Sequence, residues 1–101
     1  MVIVLATTRV KENMREEWIS SFKAYAETVR KEQGCIEYFP AVDLKTDLLP
    51  QALGPNEVTI VEKWESMQDL QNHLQSAEMK AFGEKTQGMT EGMSAKVLQP
   101  A

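Results

Sequence analysis

The sequence contains few of the residues that would build a disulfide framework, a metal cluster or a nucleic-acid interface. Among 101 residues there is one cysteine and one histidine, so an intrachain disulfide is impossible and a conventional zinc site lacks ligands. Eleven Lys and Arg stand against fifteen Asp and Glu, giving a net charge of -4. Because no block of basic residues is present, nucleic acid and anionic membrane surfaces are poor partners.

Long apolar runs and glycine-rich motifs are also missing. The apolar stretch over residues 2–6 is too short for a signal-peptide core or a membrane span. No GxGxxG or Walker-type loop is present to hold phosphates, and no G-x-S-x-G elbow is present to hold a nucleophilic serine. We expect one cytoplasmic domain over residues 1–101, since chains divide only well beyond this length and a lone cysteine fits a reducing compartment.

The first half of the chain contains a strand signal followed by a helix signal. β-branched residues predict a strand over residues 2–10. Apolar residues then recur at steps of three and four from Met14 to Val29, which predicts one buried face of a helix. Asn13 is the expected N-cap of this helix, and Gly34 the residue that ends it.

The rest of the chain adds three strands and more helix. Strands are predicted over residues 35–43 and 57–65, helical segments from Ser66 to about Gly88, and a last strand over residues 94–99. The order strand, helix, strand, strand, helix, strand is ferredoxin-like, an α+β fold in which helices cover one face of an antiparallel sheet.

The predicted sheet and the long connection within it both indicate further contacts. Ile3 and Leu5 point away from Val2 and Val4, so the sheet face without helices is apolar too, and we expect a second copy of the chain to cover it. Pro40 cannot donate to a ladder and therefore favours an edge position, a bulge or a bend in its strand. The long connection over residues 44–56 is expected to pack on something, because it contains four leucines: Leu44, Leu48, Leu49 and Leu53.

Two ionisable side chains are candidates for chemistry, and each has a structural alternative. His73 is the only side chain whose ordinary pKa lies near neutrality, so it is either a general base or a hydrogen-bonded core histidine. Glu62 shares a strand face with Trp64. If that face is inward, Glu62 is a buried proton acceptor or the partner of His73; otherwise it is solvated or paired with a lysine.

Several aromatic and methionine side chains suit a flat ligand, although the same residues at helical spacing also form ordinary cores. The candidate binding residues are Tyr38, Trp64, Phe22, Met67, Met79 and Phe82.

Four segments together resemble the antibiotic biosynthesis monooxygenase superfamily, in particular its small bacterial quinol monooxygenases. They are Gly34-Cys35-Ile36-Glu37-Tyr38, Val61-Glu62-Lys63-Trp64-Glu65-Ser66, Leu70-Gln71-Asn72-His73-Leu74 and Met79-Lys80-Ala81-Phe82, and the chain ends Val97-Leu98-Gln99-Pro100. The resemblance implies a dimeric α+β barrel that oxidises hydroxylated aromatic compounds with dioxygen and uses no flavin, haem or metal. It implies His73 as the base, Trp64 and Tyr38 as groups that orient the substrate, and Glu62 as a supporting carboxylate.

Two other functions stay open on the sequence. One is an isomerase or processing enzyme for a small phosphorylated carbonyl metabolite, which would need a basic clamp drawn from Arg9, Lys63, Lys80 and Lys96. The other is a dimeric binding protein that holds a small molecule without turnover.

Overall fold

The computed structural model describes residues 1–101, and its elements follow the predicted order. The strands are β1 (Val2–Val10), β2 (Cys35–Ala41), β3 (Glu57–Trp64) and β4 (Thr90–Leu98). The helices are α1 (Arg15–Val29), α2 (Met67–Leu74) and α3 (Ala77–Thr86), with a short 3₁₀ turn over Gln87–Met89. None of the helices is both long and apolar enough to cross a membrane.

The four strands form one antiparallel sheet in the order β2-β3-β1-β4. This is the ferredoxin-like α+β fold, as the sequence predicts. β2 lies at an edge of the sheet, a position in which strands tolerate a proline, so of the edge, bulge and bend that Pro40 predicts the edge is confirmed.

Alternation along β1 and β3 separates two faces of the sheet. The inner face, packed against the helices, holds the buried side chains of Val2, Val4, Ala6, Thr8, Val10, Val58, Ile60, Glu62 and Trp64. On the outer face, Leu5 pairs across the sheet with Val61, and Val61 pairs with Phe39. Phe39 is 41% exposed, whereas Leu5 and Val61 are partly buried, so the chain itself covers this apolar row only in part.

Local signals explain where α1 and α2 begin. Ser66 caps α2 as predicted, since its Oγ accepts a hydrogen bond from the backbone N–H of Asp69 at 3.1 Å. The prediction that Asn13 caps α1 is wrong. Met14 is the N-cap, and Asn13 instead occupies the left-handed region at φ 68°, in a turn that asparagine tolerates well.

The predicted limits of β2, α1 and β4 differ from the observed ones. β2 ends at Ala41 instead of residue 43, and α1 ends at Val29, before a turn that leads to Gly34 at φ 79°. β4 begins at Thr90 instead of residue 94 because pairing with β1 extends the ladder through Gly92, which has low intrinsic strand preference.

The connection between β2 and β3 is tied to the rest of the chain at its end, where the Val10 N–H donates to the Asn56 carbonyl at 2.7 Å and Arg15 donates to the Pro55 carbonyl at 2.6 Å. Its leucines point into solvent, with Leu44 79% and Leu48 88% exposed. Hydrogen bonds within the connection give it shape, for example from Gln51 Nε2 to the Leu44 carbonyl at 2.7 Å and from the Gly54 N–H to Asp43 Oδ2 at 2.7 Å. The predicted packing partner is therefore not found within this chain.

Candidate active site

A cavity of about 550 Å³ lies between the inner face of the sheet and the helices α1 and α3. Its wall includes β4 side chains that no helix covers, among them Met93, Ala95 and Val97. Met93 and Val97 are 65% and 56% exposed. The cavity therefore opens beside β4, while its deeper part lies among the core aromatic rings. We call it the aromatic cavity.

Stacked rings form much of the wall. Trp18 stacks on Phe22 with ring centroids 5.0 Å apart, and Phe22 stacks on Tyr38 at 5.4 Å. Tyr25 stacks on Phe82 at 4.4 Å. These rings come from α1, β2 and α3, so the apolar stripe of α1 contributes to the cavity as well as to the core. Flat, rigid walls of this kind suit a planar aromatic ligand.

Glu62 is the only charged residue in this wall. Its side chain points inward with Trp64 because the two residues share a strand face, and Glu62 is 6% exposed. Trp64 Nε1 donates a hydrogen bond to Glu62 Oε1 at 3.0 Å. The solvated or lysine-paired alternative does not hold, since Lys63 on the other face pairs with Glu37 at 3.6 Å.

Burial raises the pKa of Glu62 above its ordinary value. The Trp64 hydrogen bond and the positive charge that His73 can take partly oppose this rise. A carboxylate in such surroundings holds a proton more strongly than an exposed one, yet a hydrogen-bond donor fixes its direction. Glu62 can therefore accept a proton from a ligand in the aromatic cavity.

His73 lies one layer behind the aromatic cavity and does not line it. It is 1% exposed, with its ring stacked on Trp64 at 4.7 Å and set edge-on to Tyr38 at 5.2 Å. Its carboxylate partner is Glu32, whose Oε1 lies 3.0 Å from His73 Nδ1. Of the two roles predicted for an inward-facing Glu62, that of hydrogen-bond partner to His73 is wrong, because Glu62 is hydrogen-bonded to Trp64 and His73 to Glu32.

Behind His73 lies a separate, shallow polar groove. Glu32 and His73 border it together with Asp69, Asn72 and Glu78. The order from solvent inward is thus the groove, the Glu32–His73 pair, the Trp64 ring, Glu62 and the aromatic cavity.

The remaining predicted binding residues divide into two groups. Phe22, Tyr38, Met79 and Phe82 line the aromatic cavity. Trp64 and Met67 do not: Trp64 is fully buried behind Glu62, and Met67, in the first turn of α2, is 58% exposed.

Two wall residues, Trp18 and Tyr25, lie within the apolar stripe that the sequence predicts from Met14 to Val29, but they are not among the predicted site residues. The signal in the sequence that could have singled them out is the polar atom that each carries on an otherwise apolar helix face. Trp18 Nε1 and Tyr25 Oη are buried and have no hydrogen-bond partner in the protein. Burial raises the pKa of Tyr25 to about 12 and raises that of Tyr38 as well, so both hydroxyls stay protonated at neutral pH.

No lysine or arginine lines the aromatic cavity. Nor is any group of three or more His, Cys, Asp or Glu side chains arranged so that it could hold a metal ion. The chemistry available in the wall is that of one carboxylate, several protonated hydroxyl and indole donors, and aromatic surface.

Comparison with known proteins places this site in a family. Residues 1–85 match the model of the antibiotic biosynthesis monooxygenase family. Probable quinol monooxygenase YgiN of Escherichia coli is 35% identical over 99 residues, covering 98% of this chain and 95% of that protein.

Solved structures show the same fold. A conserved protein from Methanosarcina mazei superposes with a TM-score of 0.83 at 22% identity, covering 99% of this chain and 92% of its own. An antibiotic biosynthesis monooxygenase superposes with a TM-score of 0.81 at 17% identity, covering 100% and 99%. With the family match and the full-length relative, these findings show that the chain belongs to the antibiotic biosynthesis monooxygenase family and is an enzyme of the monooxygenase class.

Proposed function

We propose that this enzyme oxidises quinols or closely related hydroxylated aromatic compounds with dioxygen, without flavin, haem or metal. The observation that carries the proposal is the aromatic cavity itself, in which a single carboxylate, Glu62, faces a wall of stacked rings. The name of the relative YgiN supports the same substrate class.

The reaction is balanced without a further reductant. A quinol and dioxygen give a hydroxyquinone and water: one oxygen atom replaces a ring hydrogen, and the other leaves as water. Ring oxygenation and oxidation of the quinol to the quinone level each supply two electrons, which together reduce dioxygen fully. Since a quinolate gives up electrons far more readily than a neutral quinol, removal of a phenolic proton is the step that a protein side chain can accelerate.

Glu62 is the side chain placed to take that proton. The Trp64 N–H binds Oε1 of Glu62, so Oε2 of Glu62 is left for the ligand. Burial raises the pKa of Glu62 toward that of a useful base. His73 and Glu32 act from behind. His73 packs on Trp64 and Tyr38, so the pair positions both rings and sets the local field at Glu62. His73 is therefore a positioning residue in this proposal, since it does not line the cavity.

The test is dioxygen consumption by chelator-treated protein with reduced 1,4-naphthoquinone. The enzyme should consume dioxygen faster than the quinol does alone, and with oxygen-18 gas the hydroxyquinone should carry one labelled oxygen atom. Production of unlabelled naphthoquinone and hydrogen peroxide would show simple oxidation instead. No acceleration across a panel of reduced naphthoquinones would refute the proposal.

No observation favours the phosphorylated-metabolite alternative. Arg9 and Lys63 pair with Glu57 and Glu37 on the outer face, and Lys80 is exposed on α3. The aromatic cavity thus offers no basic clamp for a phosphate. The non-catalytic alternative is separated by the same assay, since a binding protein would hold naphthoquinones without consuming dioxygen.

A homodimer is part of the proposal. The apolar row of Leu5, Val61 and Phe39 crosses three neighbouring strands on the outer face, and the chain itself covers it only in part. Covering such a row with its own copy removes apolar area from water at about 25 cal/mol per Å². A two-fold axis would also set the same row of the second copy against it.

A further inference from the structure

Two hydrogen-bond donors of α1 stand unused in the wall of the aromatic cavity. Trp18 is 2% exposed, and its Nε1 has no acceptor within the protein. Tyr25, seven residues further along the same helix face, also has a buried oxygen without a partner. Both residues line the aromatic cavity. Tyr38 lies next to Tyr25. Against the rise from burial, its hydroxyl acts on the Tyr25 oxygen as a donor that lowers the pKa of Tyr25, so the Tyr25 O–H itself has no acceptor.

Unpaired buried donors are uncommon because each has given up its hydrogen bond to water. One hydroxyl in this wall is paired within the protein: Thr86 Oγ1 donates to the Phe82 carbonyl at 2.8 Å. The two orphaned groups are of one kind, since an indole N–H can only donate and the Tyr25 hydroxyl keeps its proton at neutral pH. An acceptor that arrives with a ligand would satisfy them.

We propose that Trp18 Nε1–H and Tyr25 O–H are the specificity-determining donors of this site, and that they bind a carbonyl or phenolic oxygen of the aromatic ligand. Glu62 takes the opposite role, as an acceptor for a phenolic O–H. This inference rests on the proposed function and adds what the ligand must carry: at least one acceptor oxygen on a planar ring system. A hydrocarbon of the same shape fits the cavity but leaves both donors unpaired.

The donors also bear on the reaction. Once Glu62 has taken a phenolic proton, negative charge spreads over the ring oxygens of the quinolate. Donors shielded from water stabilise that charge strongly. Because less than 1 Å² of each of these polar atoms is exposed, a small shift of the wall must bring the ligand's oxygen within hydrogen-bond distance. Trp18 is held by stacking on Phe22 at 5.0 Å, and Tyr25 by stacking on Phe82 at 4.4 Å, so neither ring turns freely.

The test is a comparison of two ligands on two proteins. Binding of 1,4-naphthoquinone and of naphthalene is measured by equilibrium dialysis for the unaltered chain and for Tyr25→Phe. The variant should bind naphthoquinone about 3- to 10-fold more weakly, the loss of one neutral hydrogen bond, and naphthalene equally well. Its melting temperature should be unchanged or higher, because a buried unpaired hydroxyl has been removed; a hydroxyl that serves only the fold would lower it.

Trp18→Phe is the second variant and should shift the same ratio in the same direction. Thr86→Val is the matched control: it deletes a wall hydroxyl that is already paired, so it should lower stability without changing the preference for naphthoquinone over naphthalene. An equal effect on both ligands, or none on either, in the Tyr25 and Trp18 variants overturns the inference.

Naphthoquinone is already oxidised, so this measurement is independent of turnover. If the variants change the ratio of naphthoquinone to naphthalene binding but the enzyme consumes no dioxygen, the role of the two donors stands and the proposed reaction is refuted. If the enzyme consumes dioxygen but the variants leave that ratio unchanged, the proposed reaction stands and the role of the two donors is refuted.

Discussion

Replacing Glu62 by Gln is the most direct test of the proposed chemistry. Glutamine keeps the size of the side chain and an oxygen that can accept the 3.0 Å hydrogen bond from Trp64, but it cannot take up a proton. Loss of a positioned general base lowers rates by about 10²- to 10⁴-fold, or about 3–5 kcal/mol in activation free energy. The assay is dioxygen consumption with reduced 1,4-naphthoquinone. Glu37→Gln, the same change at a half-exposed position on the outer face, is the control.

The pH dependence gives this test a second readout. Glu62 must be ionised to accept a proton, and its pKa is raised from the ordinary 4.5. As the pH is lowered, activity should therefore begin to fall at a pH above 4.5. The stability of the fold depends on pH in the opposite direction. Because the pKa of Glu62 is higher in the folded than in the unfolded chain, folding favours the protonated carboxyl, and ionisation of Glu62 lowers the free energy of unfolding as the pH rises through that pKa. Glu62→Gln should therefore be more stable than the original chain at high pH, with the gain vanishing below about pH 4.5. An unchanged rate, or a gain that grows on acidification, would refute the reasoning.

Three further changes test other parts of the molecule. His73→Gln should slow turnover about tenfold, less than Glu62→Gln does. It should also move the loss of activity at acid pH to a higher pH, because the charge of His73 lowers the pKa of Glu62. If the pH of that loss does not move, the role of His73 is packing alone. Gly34→Ala forces a Cβ into a left-handed position against a carboxylate of α2, and urea unfolding should show a loss of ~2 kcal/mol or more. Phe39→Glu should convert a dimer into a monomer in sedimentation velocity, whereas an unaltered chain that sediments as a monomer would refute the outer-face interface.

Much of the fold could be read from local patterns. Period-two alternation placed Glu62 and Trp64 on one face, and their burial follows from the neighbours Val58 and Ile60. The N-cap signal of Ser66 followed by Asp69 predicts the start of α2. Such features need only residues a few positions apart, and that is why one sequence is enough to predict them.

The site was less predictable because its contacts join distant residues. Glu32 and His73 are 41 positions apart, and nothing in either segment signals that they pair. Whether an aromatic residue faces a cavity or a packed core depends on what lies opposite it. The α1 stripe therefore predicts that Trp18 is buried, but not that its N–H lacks a partner.

The chain has two tryptophans, and both lie at the site. Trp18 forms part of the cavity wall with its indole N–H unpaired, and Trp64, which lies behind that wall, donates its own N–H to the Glu62 carboxylate in the wall. Intrinsic fluorescence of this protein therefore comes entirely from the neighbourhood of the proposed reaction. A quinone seated on the wall should quench Trp18, and ionisation of Glu62 should change the emission of Trp64. Ligand entry and carboxylate charge can thus be followed in the unlabelled enzyme, in real time and with the native sequence.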